Sequence, residues 1–392
     1  MSVLRISDAQ RRARLAWRHR LVPAARIDDP VAIARSVVAL HASDPATVHL
    51  AAAERMRTPG VEAVERALYD DRTLVRMLGM RRTMFVIPVD LAAAVQASST
   101  NDVAATERRR MVRAIDANGI DDPAAWLRGL EEAALEALNA NGGAHTTELT
   151  DLVPALRRTI TVGSGRWRTE VRMSSRVMLL LAADGLIMRG RPRGTWLSSQ
   201  YRWEPTTQWL GGPIADVPAD AARVTMARHW LAAFGPATFD DLVWWTGWTR
   251  TRARRAVDAL DTVDVELDDG SPALVLADDV NPVDEPDDWS ALLPGLDPTP
   301  MGWTARDWYI GAHRDAIFDN TGNIGPTIWW NGAVVGGWTQ QPDGSIVHRL
   351  LDDITQAGRT AVEHQLTRAR PHLTGTAVTP RFRSTLDREL NP

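Results

Sequence analysis

The chain has 392 residues, 44% hydrophobic and 24% charged, with a formal net charge of −4, the make-up of a globular protein too long for one ordinary core. It has no cysteine, and all 45 basic residues are arginine, which excludes disulfides, thiolate nucleophiles, thiolate-ligated metal sites, a phosphate-gripping P-loop lysine and a lysine Schiff base. With no long apolar run and no basic-then-apolar leader, neither a membrane span nor a secretory signal is expected, and the expected location is the cytoplasm.

Ser7 followed three residues later by Gln10 reads as a capping box opening a helix to about Leu21. Asp29-Pro30 starts a second helix, with Ile33, Val37 and Leu40 as its buried stripe, and this helix is expected to deliver His41 at its end. Asp44 precedes Pro45 and so leaves the helical region; Asp44 then caps the next helix, with Pro45 at its first turn. Thr83 to Pro88 reads as a strand.

From Pro123 to Ser199 the order is helix, helix, helix, hairpin. Trp126 to Leu138 is helical, Thr146 or Thr147 caps a short helix from Glu148 to Leu156, and Ser174 to Asp184 forms a third helix, which Gly185 stops. Leu186 to Arg189 leads to the turn Gly190-Arg191-Pro192-Arg193-Gly194, and Thr195-Trp196-Leu197 returns. Three helices and a basic-tipped hairpin make a winged helix. From Arg157 to Glu204 ten arginines face three acidic residues, a local charge of +7. Such a field is felt by a phosphate backbone whatever the net charge of the chain, although two oppositely charged solvated surfaces would look the same.

A second such unit starts near Arg223, with a helix to Phe234, a capping box at Thr238-Asp241, a helix capped by Thr249, and a hairpin around Asp268-Asp269-Gly270. From Asp258 to Asp288 there are twelve acidic residues and no arginine, so this hairpin suits phosphate poorly. After Asn281–Asp288 the pattern is β-rich. Asn331-Gly332 between two apolar runs marks a hairpin, a helix follows over Thr355–Ala369, and Val378–Arg383 reads as a further strand.

His41 and Ser43 are the candidate catalytic pair. Residues two apart in a regular helix point about 200° apart, so they would share one site only where the helix unwinds. A neutral imidazole can take a proton from water and a hydroxyl can hold that water; a histidine at a helix end also serves simply to pack or to answer the helix dipole. The nine histidines show no metal-ligand spacing, and no metal or cofactor is expected. Arg189, Arg191 and Arg193 on the wing, with Arg166, Arg168, Arg176 and Arg82, are the candidate DNA-binding residues. The run Arg108-Arg109-Arg110 with Arg113 reads as a solvated face that could line a groove. The sixteen tryptophans could stack on bases, although Trp244-Trp245 and Trp329-Trp330 read better as core. Gly163-Ser164-Gly165 reads as a loop, and no nucleophile–base–orienter set supports a small-molecule hydrolase.

Taken in order, the helix after Ser7, Ala39–Pro45, Arg81–Pro88, Phe234–Gly247, Leu292–Asp297 and Asn331–Gly336 resemble the bacterial winged-helix DNA glycosylases of the AlkZ and YcaQ type. The resemblance implies an α+β, mainly α fold of tandem winged helices with a C-terminal β-rich, barrel-like part. The expected divisions are 1–122, carrying the candidate site, 123–215, 216–280 and 289–392. It implies double-stranded DNA as partner, a monomer, and excision of bulky alkylated purines or unhooking of crosslinks. Where the family carries Gln-x-Gln or Gln-x-Asp, this chain has His41-Ala42-Ser43, with Asp44 and Pro45 as the cap beside the site. Without lysine, a glycosylase here would be monofunctional, using water. The alternative is a winged-helix protein that binds DNA without chemistry.

Overall fold

The computed structural model describes residues 4–373 and 375–392. Strand β1 (Leu4–Ile6) leads into α1 (Asp8–Arg18), which Ser7 caps by accepting the Gln10 amide. The Gln10 side chain does not turn back to complete a capping box; it holds the Val283 backbone through both of its amide atoms. Helix α2 (Pro30–Ser36) is capped by Asp29, β2 (Leu40–His41) follows, and α3 (Pro45–Arg55) is capped by Asp44. Next come α4 (Glu62–Glu65), β3 (Leu74–Leu78), β4 (Met84–Pro88), α5 (Ala92–Val95) and α6 (Asn101–Ala117).

The chain continues with α7 (Pro123–Asn141), β5 (Ala144–His145), α8 (Thr146–Leu152), the hairpin β6 (Thr159–Val162) and β7 (Thr169–Arg172), α9 (Met173–Ala183), β8 (Ile187–Pro192) and β9 (Tyr201–Pro205). After α10 (Thr206–Leu210) come α11 (Ala219–Phe234), α12 (Phe239–Thr246), α13 (Arg250–Asp258), β10 (Thr262–Leu267) and β11 (Pro272–Leu276).

One pairing pattern recurs three times. The short first strand of each unit pairs with the last strand of its hairpin, giving the orders β2–β4–β3 and β5–β9–β8; in the third unit Ala237 bridges Leu274 of β11, which pairs with β10. The protein is therefore a tandem of winged helices. β1 adds a parallel edge to β10. Three carboxylates of the acidic block are held in ion pairs, Glu266 by Arg5, Asp279 by Arg14 and Arg18, and Asp278 by Arg228.

The last part comprises β12 (Ser290–Leu293), the short helices α14 (Asp307–Ile310) and α15 (Arg314–Ile317), β13 (Thr327–Trp330), β14 (Ala333–Gln340), β15 (Ile346–Leu350), α16 (Gln356–Leu373) and α17 (Thr385–Leu390). Its sheet runs β12–β13–β14–β15, open at both edges instead of closing into a barrel. Val362, Leu366 and Ala369 of α16 pack against Leu292, Ile328 and Val335 of the sheet.

Three further expectations change. The helix from Pro30 stops at Ser36; Val38 takes φ +65°, and the chain extends, so that His41 sits on a strand and not at a frayed helix end. The wing returns at Tyr201–Pro205, not Thr195–Leu197, because Trp196 and Leu197, partly buried, pack against the cluster of α3, the last sheet and α16. Val378–Arg383 is not a strand: the Val378 amide donates to the Gln340 side chain and that of Arg381 to Asp44.

Candidate nucleic-acid interface and active site

The segment 41–43 is held from every side. His41 pairs with Phe85 across the ladder and the Ala42 amide donates to the Met84 carbonyl at 2.8 Å. Asp44 accepts the Ala46 amide at 3.1 Å and the Arg381 amide at 2.9 Å, and the Arg381 guanidinium reaches the Ser43 carbonyl at 3.2 Å. One carboxylate thus joins the start of α3 to the C-terminal chain, and Asp44 and Pro45 act as the expected cap.

Two cavities abut on this segment. One, of about 430 Å³, is lined by Ala42, Ser43 and Met84 with Arg76, Arg189, Arg193 and Arg381. The other, of about 280 Å³, is lined by His41 and Thr83 with Arg81, Arg306 and Arg314. No carboxylate lines either. His41 therefore lines one cavity and Ser43 the other, and the two are not gathered into a single one.

Burial, with the Arg81 charge as the smaller cause, pushes His41 down to about 3, so its ring is neutral at physiological pH. Its edge meets Phe85 at 5.6 Å between ring centres. The Ser43 amide donates to His41 Nδ1 over a long 3.4 Å, which leaves Nε2 as the nitrogen that carries hydrogen. Such an imidazole is a weak base and a good hydrogen-bond donor.

The expected DNA-binding arginines separate into groups. Arg189 and Arg193 line the Ser43 cavity; Arg189 lies over the Trp203 ring at 4.6 Å, and Arg193 pairs with Glu148 at 2.8 Å. Arg191 is taken up by Asp70 at 2.9 Å and by the face of Tyr69. Arg166 and Arg168 flank Trp167 at the tip of the β6–β7 hairpin, and Trp167 is 73% exposed. Arg176 lies half-buried on α9. Arg82 pairs with Glu107 at 3.1 Å in a neighbouring groove. In the basic run, Arg108 bridges Glu131 and Asp184, and Arg110 pairs with Glu107.

Sequence reasoning did not single out Arg76, Arg81, Arg306, Arg314 and Arg381. Arg76, on β3 and buried, lies over the Tyr201 ring at 4.9 Å and donates to the Ala42 carbonyl at 3.2 Å. Burial, then the neighbouring Arg76, lowers Arg189 to about 10, which leaves it charged at neutral pH. Two cations side by side without a carboxylate at salt-bridge distance make this cavity one for an anion. The only sequence signal was Arg81, inside the segment that carried the resemblance.

Architecture and site together define a DNA-processing winged-helix protein. The family profile described as DNA glycosylase AlkZ-like matches residues 34–371. The chain belongs to the AlkZ-like DNA glycosylase family. Among solved structures, Streptomyces sahachiroi DNA glycosylase AlkZ superposes with a TM-score of 0.73 at 22% identity, over 94% of this chain and 98% of that one. A sequence search among curated proteins gives no match. Among the described residues no helix is long and apolar enough to cross a membrane, and no group of three or more acidic, histidine or cysteine side chains is placed to hold a metal ion.

Proposed function

We propose that the protein is a monofunctional glycosylase that removes bulky alkylated purines, or unhooks purine crosslinks, from double-stranded DNA by attack of water on the anomeric carbon. It acts as a monomer, without metal or cofactor, on the DNA of the cytoplasm or nucleoid. The observation that carries this reading is the place of residues 41–43 between two guanidinium-lined cavities. Phosphates drawn to both sides would bring the sugar between them over this segment.

The chemistry asks little of a base. An alkylated purine carries positive charge and departs without prior protonation; the glycosidic electrons leave with it. Water then adds to the resulting oxocarbenium carbon, its proton passes to solvent, and an abasic site remains. Ser43 offers a hydroxyl to orient that water. His41, neutral and bonded to the Ser43 amide, is a positioning residue for Ser43. At Trp167 an apolar ring between two arginines suits a wedge that parts the base stack before the damaged nucleotide turns out.

Incubation with duplexes carrying N3-alkyladenine, N7-alkylguanine and an interstrand crosslink, followed by mass spectrometry of the small-molecule fraction, tests the reading. Free alkylpurine is expected, with strands that break only after alkali. Tight duplex binding with no base released from any of the three would leave the non-catalytic reading in its place.

A further inference from the structure

We propose that the cavity on the His41 side is a phosphate-binding site for one phosphodiester of the DNA strand, gripped by Arg81, Arg306 and Arg314, with His41 Nε2–H as a fourth donor. It is distinct from the cavity that Ser43 faces. The proposal rests on the reading of the protein as a DNA-binding glycosylase and deepens it, naming the residues that hold the phosphate on the His41 side.

The argument starts with Arg81. It sits at the turn between β3 and β4 with φ +54°, and Arg82 follows at +60°. Two consecutive non-glycine residues in the left-handed region are strained, and such strain persists only where the surrounding structure over-determines it, as at ligand clamps. Arg81 is aimed at the Trp244 ring, its guanidinium carbon 3.9 Å from the ring centre. It makes no ion pair with any described residue, and its Nε is buried without a hydrogen-bond partner. Gly247, at φ +71°, leaves room for it: a Cβ there would stand 2.9 Å from Arg81 Cγ.

Arg306 shares the same tryptophan, 4.7 Å from the Trp244 ring and 4.9 Å from Phe318. It is 4% exposed and has no carboxylate at salt-bridge distance; its Nε is held by the Trp303 carbonyl at 2.6 Å. Arg314 lies over Phe318 at 5.4 Å and is exposed at the rim.

The nearby carboxylates are engaged elsewhere. Asp241 accepts the amides of Thr304 and Ala305 and both donors of Thr238. Asp319 is consumed inside its own turn by Thr321 and Asn323. That turn presents Thr321, Gly322 and Asn323 to the cavity. Mutually repelling guanidiniums on aromatic platforms, without a counter-anion, fit a tetrahedral oxyanion with its charge spread over several oxygens.

A scan of single methylphosphonate substitutions along both strands of a short duplex, read by fluorescence anisotropy, tests this. The native protein is expected to lose about ten-fold in affinity at one phosphate, a loss of the size expected for one charge-assisted contact. Arg81→Gln and, at the exposed rim, Arg314→Gln should each bind the unmodified duplex more weakly, with the salt slope reduced by about one, and should lose nothing further at that one position. Unchanged affinity and slope in both variants, or additive losses at every position, would overturn the proposal. So would Arg81-dependent binding of inorganic phosphate alongside additive losses throughout, because the site would then serve a free phosphate. Base release is scored separately: its absence with the coupling intact would count against the glycosylase reading and not against this site.

Discussion

His41 owes its neutrality to burial, and it shares this with His19 and His49, each pushed down to about 3 with desolvation as the first cause. His19 is fully enclosed between the Thr299 hydroxyl and the Ala233 carbonyl. Below about pH 6.5 the unfolded chain takes up protons that these folded sites refuse. Stability is therefore complete above the unfolded value and falls as the pH drops from 6.5 toward 3, by up to about 1.4 kcal/mol per pH unit for each site. Urea unfolding at pH 7.5 and pH 5 should show a lower midpoint at pH 5, and His41→Gln should narrow the gap. An identical gap in that variant would mean that His41 titrates normally. Turnover limited by base release should correspondingly show no inflection near pH 6.5 attributable to His41.

At the scale of elements, most helix starts were legible, the exception being α8, which starts after His145 and not after Thr146 or Thr147. Asp29-Pro30, Asp44-Pro45, Thr238 and Thr249 all cap as their side chains imply, because capping is a local bargain between one oxygen and the free amides of the first turn. The hairpin at Asn331-Gly332 was legible for the same reason. What stayed hidden depends on distant chain. Nothing local to Val38 announces a positive φ in a β-branched residue; the apolar stripe runs on through Leu40, and the sheet pairing with β4 overrides it. Trp196 and Leu197 mimic a returning strand, but their burial is decided by α3 and the last sheet. The β6–β7 hairpin hides in two four-residue strands, Thr159–Val162 and Thr169–Arg172, with three threonines among their eight residues. Its tip makes a prediction: Trp167→Ala should leave the unfolding midpoint unchanged, since the ring is exposed, yet lower base release from duplex DNA. Equal release would remove the wedge from the account.

Across the molecule, the site exists only because residues far apart in sequence are locked together. Arg81, Trp244 and Arg306 come from three separate regions of the chain, as do Ser43, Arg189 and Arg381. No spacing rule could have assembled them, whereas His41 and Ser43 were visible as neighbours. A buried ion pair helps to fix the assembly: Arg55 of α3 meets Asp297 at 2.7 Å, both with no exposed side-chain surface, and the same guanidinium holds Thr299. Asp297→Asn leaves that buried cation without its counter-charge, and denaturant unfolding should report a loss of about 3–5 kcal/mol; a loss under about 1 kcal/mol would show that the lock is not structural. The charge pattern follows the same logic: Arg14 and Arg18 of the N-terminal helix hold Asp279 of the acidic block, whereas the two arginine-lined cavities have no carboxylate among their described lining residues. The most direct test of that division is single-turnover base release from an N7-alkylguanine duplex, with binding to the same duplex measured alongside, for the native protein and Ser43→Ala. The account predicts release by the native protein, and in the variant a rate lower by at least about ten-fold with binding unchanged. Release at the native rate by Ser43→Ala would contradict it.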